Sequence, residues 1–350
     1  MTSFYPGPSE VYSRIPRYVQ EAHQAGVLSM NHRSAACMAL VKQTIAELKK
    51  KLRIPKSYTI LFLSSATECW EVLAQSLVAE SSTHLYNGAF GKKWLTYTQA
   101  LKPSTAVPFH HETELPVAAY PGDVLCITHN ETSNGTQVSM QLLKQLRQQN
   151  PKALLAIDAT SSMAGVALDF SLGDVWFASV QKCFGLPAGL SVMVCSPRAR
   201  ARVQELNERQ HYNSLHSQIQ FMEKFQTTHT PNVLGIYLLY RVLQDLELIR
   251  VVSKRMHQQA AAWYGLLDQT KILQPFIKNK QVRSQTVVVV TANPRQIKQV
   301  KTRARKAGLL VGEGYGELND TTFRIANFPA IKPGEIKKLM TLLKKLPAAR

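Results

Sequence analysis

The chain has 350 residues, 45% of them hydrophobic, and a formal net charge of +19. That length and composition supply an ordinary globular core with room for one large and one smaller unit, and they exclude a disordered chain. No run of about 18 apolar residues occurs, so no membrane span is expected; the opening MTSFYPGPSE has neither the basic flank nor the apolar core of an export signal, and a cytoplasmic protein is the expectation.

From about residue 58, short β-prone runs alternate with helical patterns, which predicts an α/β unit with a mostly parallel sheet. YTILFLSS reads as a strand, followed by a helix in ATECWEVLAQSLVAE, where Trp70, Leu73 and Leu77 share one face. THLYN precedes the helical GAFGKKWLTYTQAL, DVLCITHN precedes VSMQLLKQLRQQN, and ALLAID runs into a Thr-Ser-Ser turn. DVWFASV and LSVMVCS flank Gln181, Lys182 and a Gly-Leu-Pro-Ala-Gly turn. A long helix is predicted from about Leu234, just after Pro231, into the 260s. QTVVVVTA and TTFRIANF supply two later strands. Between them, NPRQIKQVKTRARKAG reads as an amphipathic helix with Ile297, Val300, Ala304 and Ala307 inward and Gly308 as its stop. GEGYG (312–316) opens no helix in a βαβ unit, so it is expected to be a flexible loop before the Arg324 strand, and KPGEIKKLMTLLKKL is the closing helix.

Residues 251–350 hold 19 Lys and Arg against 5 Asp and Glu, so +14 of the charge lies there, mostly on amphipathic segments whose cations form a solvated face. No zinc-finger spacing, aromatic-basic signature or isolated basic arm accompanies them, and no nucleic-acid partner is expected. Cys37, Cys69, Cys126, Cys183 and Cys195 are odd in number, scattered and without a CxxC pair, which argues against both disulfides and a metal site. Cys183 is read as a packing thiol.

In such a sheet the loops at the carboxyl ends of the strands converge on one crevice. The polar residues there are Ser64 to Thr67, Asn87, Asn130 to Thr132, Asp158, Gln181 and Lys182. A lysine between two core strands costs several kcal/mol unless paired or neutralised. Deprotonated, its amine can form an imine with an aldehyde; the plainer reading is a solvated or ion-paired side chain. Asp158 reads either as a turn residue or as a buried carboxylate that would keep the pyridine of pyridoxal phosphate protonated, and so make it an electron sink.

SVQKCFGLPAGLSVMV resembles the pyridoxal-lysine segment of the class V aminotransferases. FYPGPSEV, MNHRSAA, THNETSNG, IDATSS and FRIANF resemble further motifs of that family, in family order and over nearly the whole chain. The resemblance implies the type I fold of pyridoxal-phosphate enzymes. It would have a large, mixed, mostly parallel sheet unit over 16–245 and a smaller α/β unit from 1–15 with 246–350. It also implies a homodimer with shared active sites. Lys182 would bear the cofactor as a Schiff base and act as base for the 1,3-proton shift. Asp158 would face the pyridine nitrogen, Thr132 the phenolate side and Phe90 the ring, where many relatives place Trp. Backbone at Ala66 and Thr67 would hold the cofactor phosphate, with the Gln181 amide adding to it. His229 and Thr230 match a segment supplied by the neighbouring subunit. Arg324 would grip the substrate α-carboxylate, and His32 with Arg33 a distal phosphate or carboxylate.

The implied reaction is transamination between phosphoserine and 2-oxoglutarate by a ping-pong route, in serine biosynthesis. One departure stands against it: Glu68 occupies or adjoins a position where phosphoserine-handling members commonly carry Arg. Class V transamination of alanine or serine with glyoxylate or pyruvate is therefore the alternative. A desulfurase would need a late mobile cysteine, and none follows Cys195. From another class, a basic nucleic-acid binder on a retired enzyme fold remains.

Overall fold

Strands covered on both faces read as continuous apolar runs, and the run Leu154–Asp158, with every residue buried, is central to a seven-stranded sheet. The computed structural model describes residues 1–270 and 272–345. In order, the strands are Thr59–Leu63, Ser191–Cys195, Val175–Ser179, Leu154–Asp158, Val124–Thr128, Ser82–Tyr86 and Ser104–Pro108. All neighbours are parallel except Ser191–Cys195, which runs against both of its own. The chain between Ser179 and Ser191 therefore turns at the edge where Leu154–Asp158 ends, since Asp158 pairs with Phe177. Trp176 and Phe177 are fully buried there, each contributing on the order of 2–3 kcal/mol by leaving water. The large, mixed, mostly parallel sheet of an α/β unit is the one expected from the sequence.

A second sheet takes Thr2–Phe4, Leu309–Glu313, Thr322–Ala326, Val287–Thr291 and Gln274–Pro275 in that order. Thr2–Phe4 lies parallel to Leu309–Glu313, so the amino-terminal segment meets strands from late in the chain. Arg324 sits mid-strand, opposite Val289 on one side and Gly312 on the other.

The helix Ala66–Ser76 starts where Ser65 accepts the Glu68 amide, and Trp70, Leu73 and Leu77 are buried together. Pro294–Lys306 opens on an Asn293/Gln296 capping box and buries Ile297, Val300 and Ala304; Ala307 falls past the last turn and is half-buried. The long helix expected from Leu234 is instead two, Val233–Asp245 and Ile249–Asp268. Leu246 and Leu248 are extended, and the Lys51 ammonium donates to the Gln244 and Leu246 carbonyls, satisfying the end of the first helix from another element. The closing helix is Pro333–Lys344, and Leu346 of the predicted segment lies outside the described residues. No helix among the described residues is long and apolar enough to cross a membrane.

Candidate active site

Lys182 follows the strand Val175–Ser179 and is 7% exposed. Its Nζ donates to Thr132 Oγ1 and to Ser161 Oγ, both at 2.9 Å, and these two hydroxyls bond to each other. The Phe90 ring centroid lies 5.2 Å from Nζ. Burial lowers the Lys182 pKa from its ordinary 10.5 to about 8, the nearby Asp158 and Glu131 carboxylates opposing that change. An amine poised so close to neutrality is available as a nucleophile or base. A Cβ on Gly7 would stand 2.8 Å from Lys182 Cε, with the Gly7 φ at +150°, so only glycine lets the amino-terminal segment pass over the lysine stem.

Asp158 ends the central strand and is 4% exposed. Its Oδ2 accepts from Trp70 Nε1 at 3.1 Å and its Oδ1 from the Thr160 amide at 2.9 Å. Burial raises its pKa; the Thr160 amide, Lys182 and Trp70 oppose that. Arg324 reaches the same place from the second sheet. Its Nε donates to the Glu313 carbonyl at 2.7 Å and its Nη1 to the Thr132 carbonyl at 3.2 Å, which fixes the guanidinium plane and leaves its other N–H groups for a ligand. Tyr315 packs against Arg324 and Phe90 alike, at 5.3 and 5.1 Å.

Ala66, Thr67, Phe90, Thr132, Asp158, Gln181, Lys182 and Arg324 thus line one cavity of about 220 Å³. Thr128 Oγ1, Asn130 Nδ2, Thr160 Oγ1 and Gln181 Oε1 line it too, and are buried without a hydrogen-bond partner among the described residues. Each such atom costs about 1–3 kcal/mol, so the cavity is built for a polar occupant that supplies their partners.

The family model described as Aminotransferase class-V matches residues 121–316, more than half of the chain. The chain belongs to the class V aminotransferases. It is 30% identical to a crystal structure of a phosphoserine aminotransferase from Cytophaga hutchinsonii, with a TM-score of 0.93 and 98% of each chain covered. It is 27% identical to the phosphoserine aminotransferase of Rhodococcus opacus over 95% of this chain and 91% of that one. The alanine–glyoxylate aminotransferase of Nostoc sp. shares the fold at a TM-score of 0.80 with 18% identity, covering 98% of this chain and 94% of that one.

Four expected site residues of this class V chain lie outside that cavity. His32 Nδ1 is 3.5 Å from Thr230 Oγ1, Arg33 donates to Gln226 Oε1 at 2.8 Å and sits over the Phe221 ring, and His229 packs edge-on to Tyr212. They form a separate, half-exposed group. The Ala66 amide, expected to face a phosphate, instead donates to Ser179 Oγ at 2.8 Å, and the Thr67 amide has no partner among the described residues. Glu68 turns back: its Oε2 accepts the Ser64 amide and hydroxyl, both at 2.7 Å, and it does not line the cavity. GEGYG, expected to be a flexible loop, ends a strand at Gly312 and Glu313 and sends Tyr315 into the site.

The residues missed from sequence are Trp70, Ser161, Ser179 and Tyr315, and Glu131 was read only as one of the polar strand-end residues. Glu131 is buried; its carboxylate accepts from the Gly91 amide at 3.1 Å and from Ser133 Oγ at 2.7 Å. It thereby caps the helix Ala89–Gln99 that carries Phe90, a helix whose own N-cap, Gly88, has no side chain to do so. Cys183 donates to the Ser161 carbonyl and burial pushes its thiol up, as befits packing.

Proposed function

We propose that this chain is a pyridoxal-phosphate-dependent aminotransferase that exchanges the amino group of phosphoserine with 2-oxoglutarate, as a homodimer in the cytoplasm. One observation carries the reading: a buried, near-neutral lysine, a buried carboxylate and a buried, oriented arginine meet in one polar cavity. Pyridoxal phosphate, when bound, supplies an aldehyde that takes up the amino group of one acid and releases it to another.

The chain's own residues do the rest. Lys182 Nζ would hold the cofactor through its aldehyde, and as a free amine it is the base placed to move the proton of the substrate α-carbon. Thr132 and Ser161, which accept its N–H groups, hold Nζ at the cavity floor between transfers. Asp158, oriented by Trp70 and Thr160, would keep the pyridine nitrogen of the cofactor protonated through its charge. Phe90 offers a ring face and Gln181 an amide. Arg324, its plane set by two carbonyls, takes the α-carboxylate through its free edge. Tyr315 closes that side against water.

The phosphoserine assignment is supported by the relatives at 27–30% identity that carry that name over nearly the whole chain. The Glu68 carboxylate is held on Ser64 and does not line the cavity, which supports a dianionic substrate there. In the homodimer, His32 and Arg33 with His229 and Thr230 would complete the second copy's site, the first pair on the substrate phosphate and the second on the cofactor phosphate. The large unit over 16–245 and the small unit over 1–15 with 246–350 would then close on each other around the substrate. A panel of phosphoserine, serine and alanine, each with 2-oxoglutarate, tests the assignment. Phosphoserine should lead alanine by at least about a hundredfold in kcat/KM, roughly the 3 kcal/mol of a charge-assisted phosphate contact; equal values would overturn it and leave the reaction class.

A further inference from the structure

A second cavity, of about 340 Å³, lies between the amino-terminal segment at Tyr12 to Arg14, the helix break at Leu246 and Glu247, and the loop from Pro329 to Pro333. Two polar atoms on its wall, Tyr12 Oη and Gln259 Oε1, are buried and have no hydrogen-bond partner among the described residues. They ask for opposite things. Burial pushes the Tyr12 phenol well above its ordinary pKa, so it stays a donor and needs an acceptor; the Gln259 oxygen needs a donor. Arg14 and Arg255 on the wall are each tied to a carboxylate, Asp245 and Glu247, while Lys332 has no ion-pair partner among the described residues.

The wall thus carries three cations, Arg14, Arg255 and Lys332, against two carboxylates, Asp245 and Glu247. Seven of the eleven helices receive a Ser or Asn side-chain cap, and the three that begin at Arg14, Leu248 and Lys332, around this cavity, receive none. Their positive dipole ends add to Arg14, Arg255 and Lys332, against the Asp245 and Glu247 carboxylates on the same wall and Glu335 in the first turn of the last helix. Val242, Leu246 and Ile331 give the remaining wall an apolar character. An acceptor of negative charge, an acceptor for N–H donors and an apolar wall together describe the three parts of one class of molecule.

We propose that this cavity binds a small apolar α-amino acid, with its carboxylate on the Tyr12 hydroxyl and the cationic wall, its ammonium on Gln259 Oε1, and its side chain against Ile331 and Val242. The site is separate from the Lys182 cavity but backs onto it. The Tyr12 amide donates to the Gly185 carbonyl at 3.0 Å, and its ring fills the space a Cβ on Gly185 would need. The inference does not depend on the aminotransferase reading.

Calorimetric titration of the holoenzyme with L-phenylalanine and L-leucine tests it. Saturable binding of one molecule per chain is expected, weakened about tenfold or more for 3-phenylpropionate and for phenethylamine, each of which lacks one of the two charged groups. Gln259→Leu should weaken L-phenylalanine by a similar factor, and Ile331→Trp, which fills the cavity, should abolish it, while Arg324→Ala should leave it intact. Should Ile331→Trp fail to fold, Gln259→Leu still decides. No saturable binding, binding lost in Arg324→Ala, or 3-phenylpropionate binding as well as the amino acid would overturn the proposal.

Discussion

The Lys182 ammonium is the most consequential charge in the molecule, and its titration can be measured without any substrate. In the cofactor-free protein it should lose its proton at about 8 rather than 10.5, chiefly because it is buried. At pH 7 about one molecule in ten then carries the neutral amine, against about one in three thousand for an ordinary lysine. The same difference is a stability statement. Unfolded chain binds the proton up to about 10.5 and folded chain only up to about 8, so the penalty is fully present below 8 and disappears as pH rises to 10.5. Its full size is about 3 kcal/mol at roughly 1.4 kcal/mol per pH unit. Denaturant unfolding of the cofactor-free wild type and of Lys182→Met, compared from pH 7.5 to 10, cancels the titration of other groups. The wild type should gain roughly 2–3 kcal/mol relative to the variant over that range. A difference that stays flat, or moves the other way, would refute the account of a desolvated amine.

Arg324→Ala should lower kcat/KM for the amino donor by about 10²–10³, the loss of a charge-assisted carboxylate contact, while cofactor absorbance is retained; unaltered kinetics would remove Arg324 from the site. Trp70→Phe deletes the 3.1 Å donor to Asp158 and should weaken cofactor affinity about five- to tenfold by equilibrium dialysis, an effect that Trp70→Tyr, which cannot place an N–H there, should not rescue. Glu68→Gln keeps the shape but not the charge on Ser64. A loss of about 0.5–1 kcal/mol in thermal unfolding with unchanged phosphoserine kinetics is expected, and altered phosphoserine kinetics would return Glu68 to the substrate site.

The central strands were legible because runs such as Leu154–Asp158 and Val175–Ser179 are apolar on both faces and end in a polar residue, whereas the partly exposed edge strand Ser104–Pro108 carries no such run. Asp158 and Lys182 could be set side by side as strand-end residues for that reason, and the family resemblance gave them their roles. The break at Leu246 was not legible, since the carbonyls it leaves open are met by Lys51, nearly 200 residues away, and local propensity through that stretch still favours helix. Trp70 was read as a core residue because its face is apolar; only the tertiary packing shows that its N–H reaches Asp158. Glu68 misled in the opposite direction. Its position relative to the motif could be counted, but the turn of its carboxylate back to Ser64 depends on side-chain conformation. Tyr315 sits in a glycine-rich stretch that looked mobile, and its ring is held by contacts with Phe90, from the helix Ala89–Gln99, and Arg324, from a strand of the second sheet.

The most direct test of the central claim is chemical trapping. Purified protein is reduced with borohydride, digested and sequenced by mass spectrometry. A pyridoxyl-phosphate mass should appear on Lys182 and on no other lysine, and Lys182→Ala should show neither the adduct nor the visible absorption band. An unmodified Lys182 in protein saturated with pyridoxal phosphate, or an adduct on a different lysine, would contradict the account.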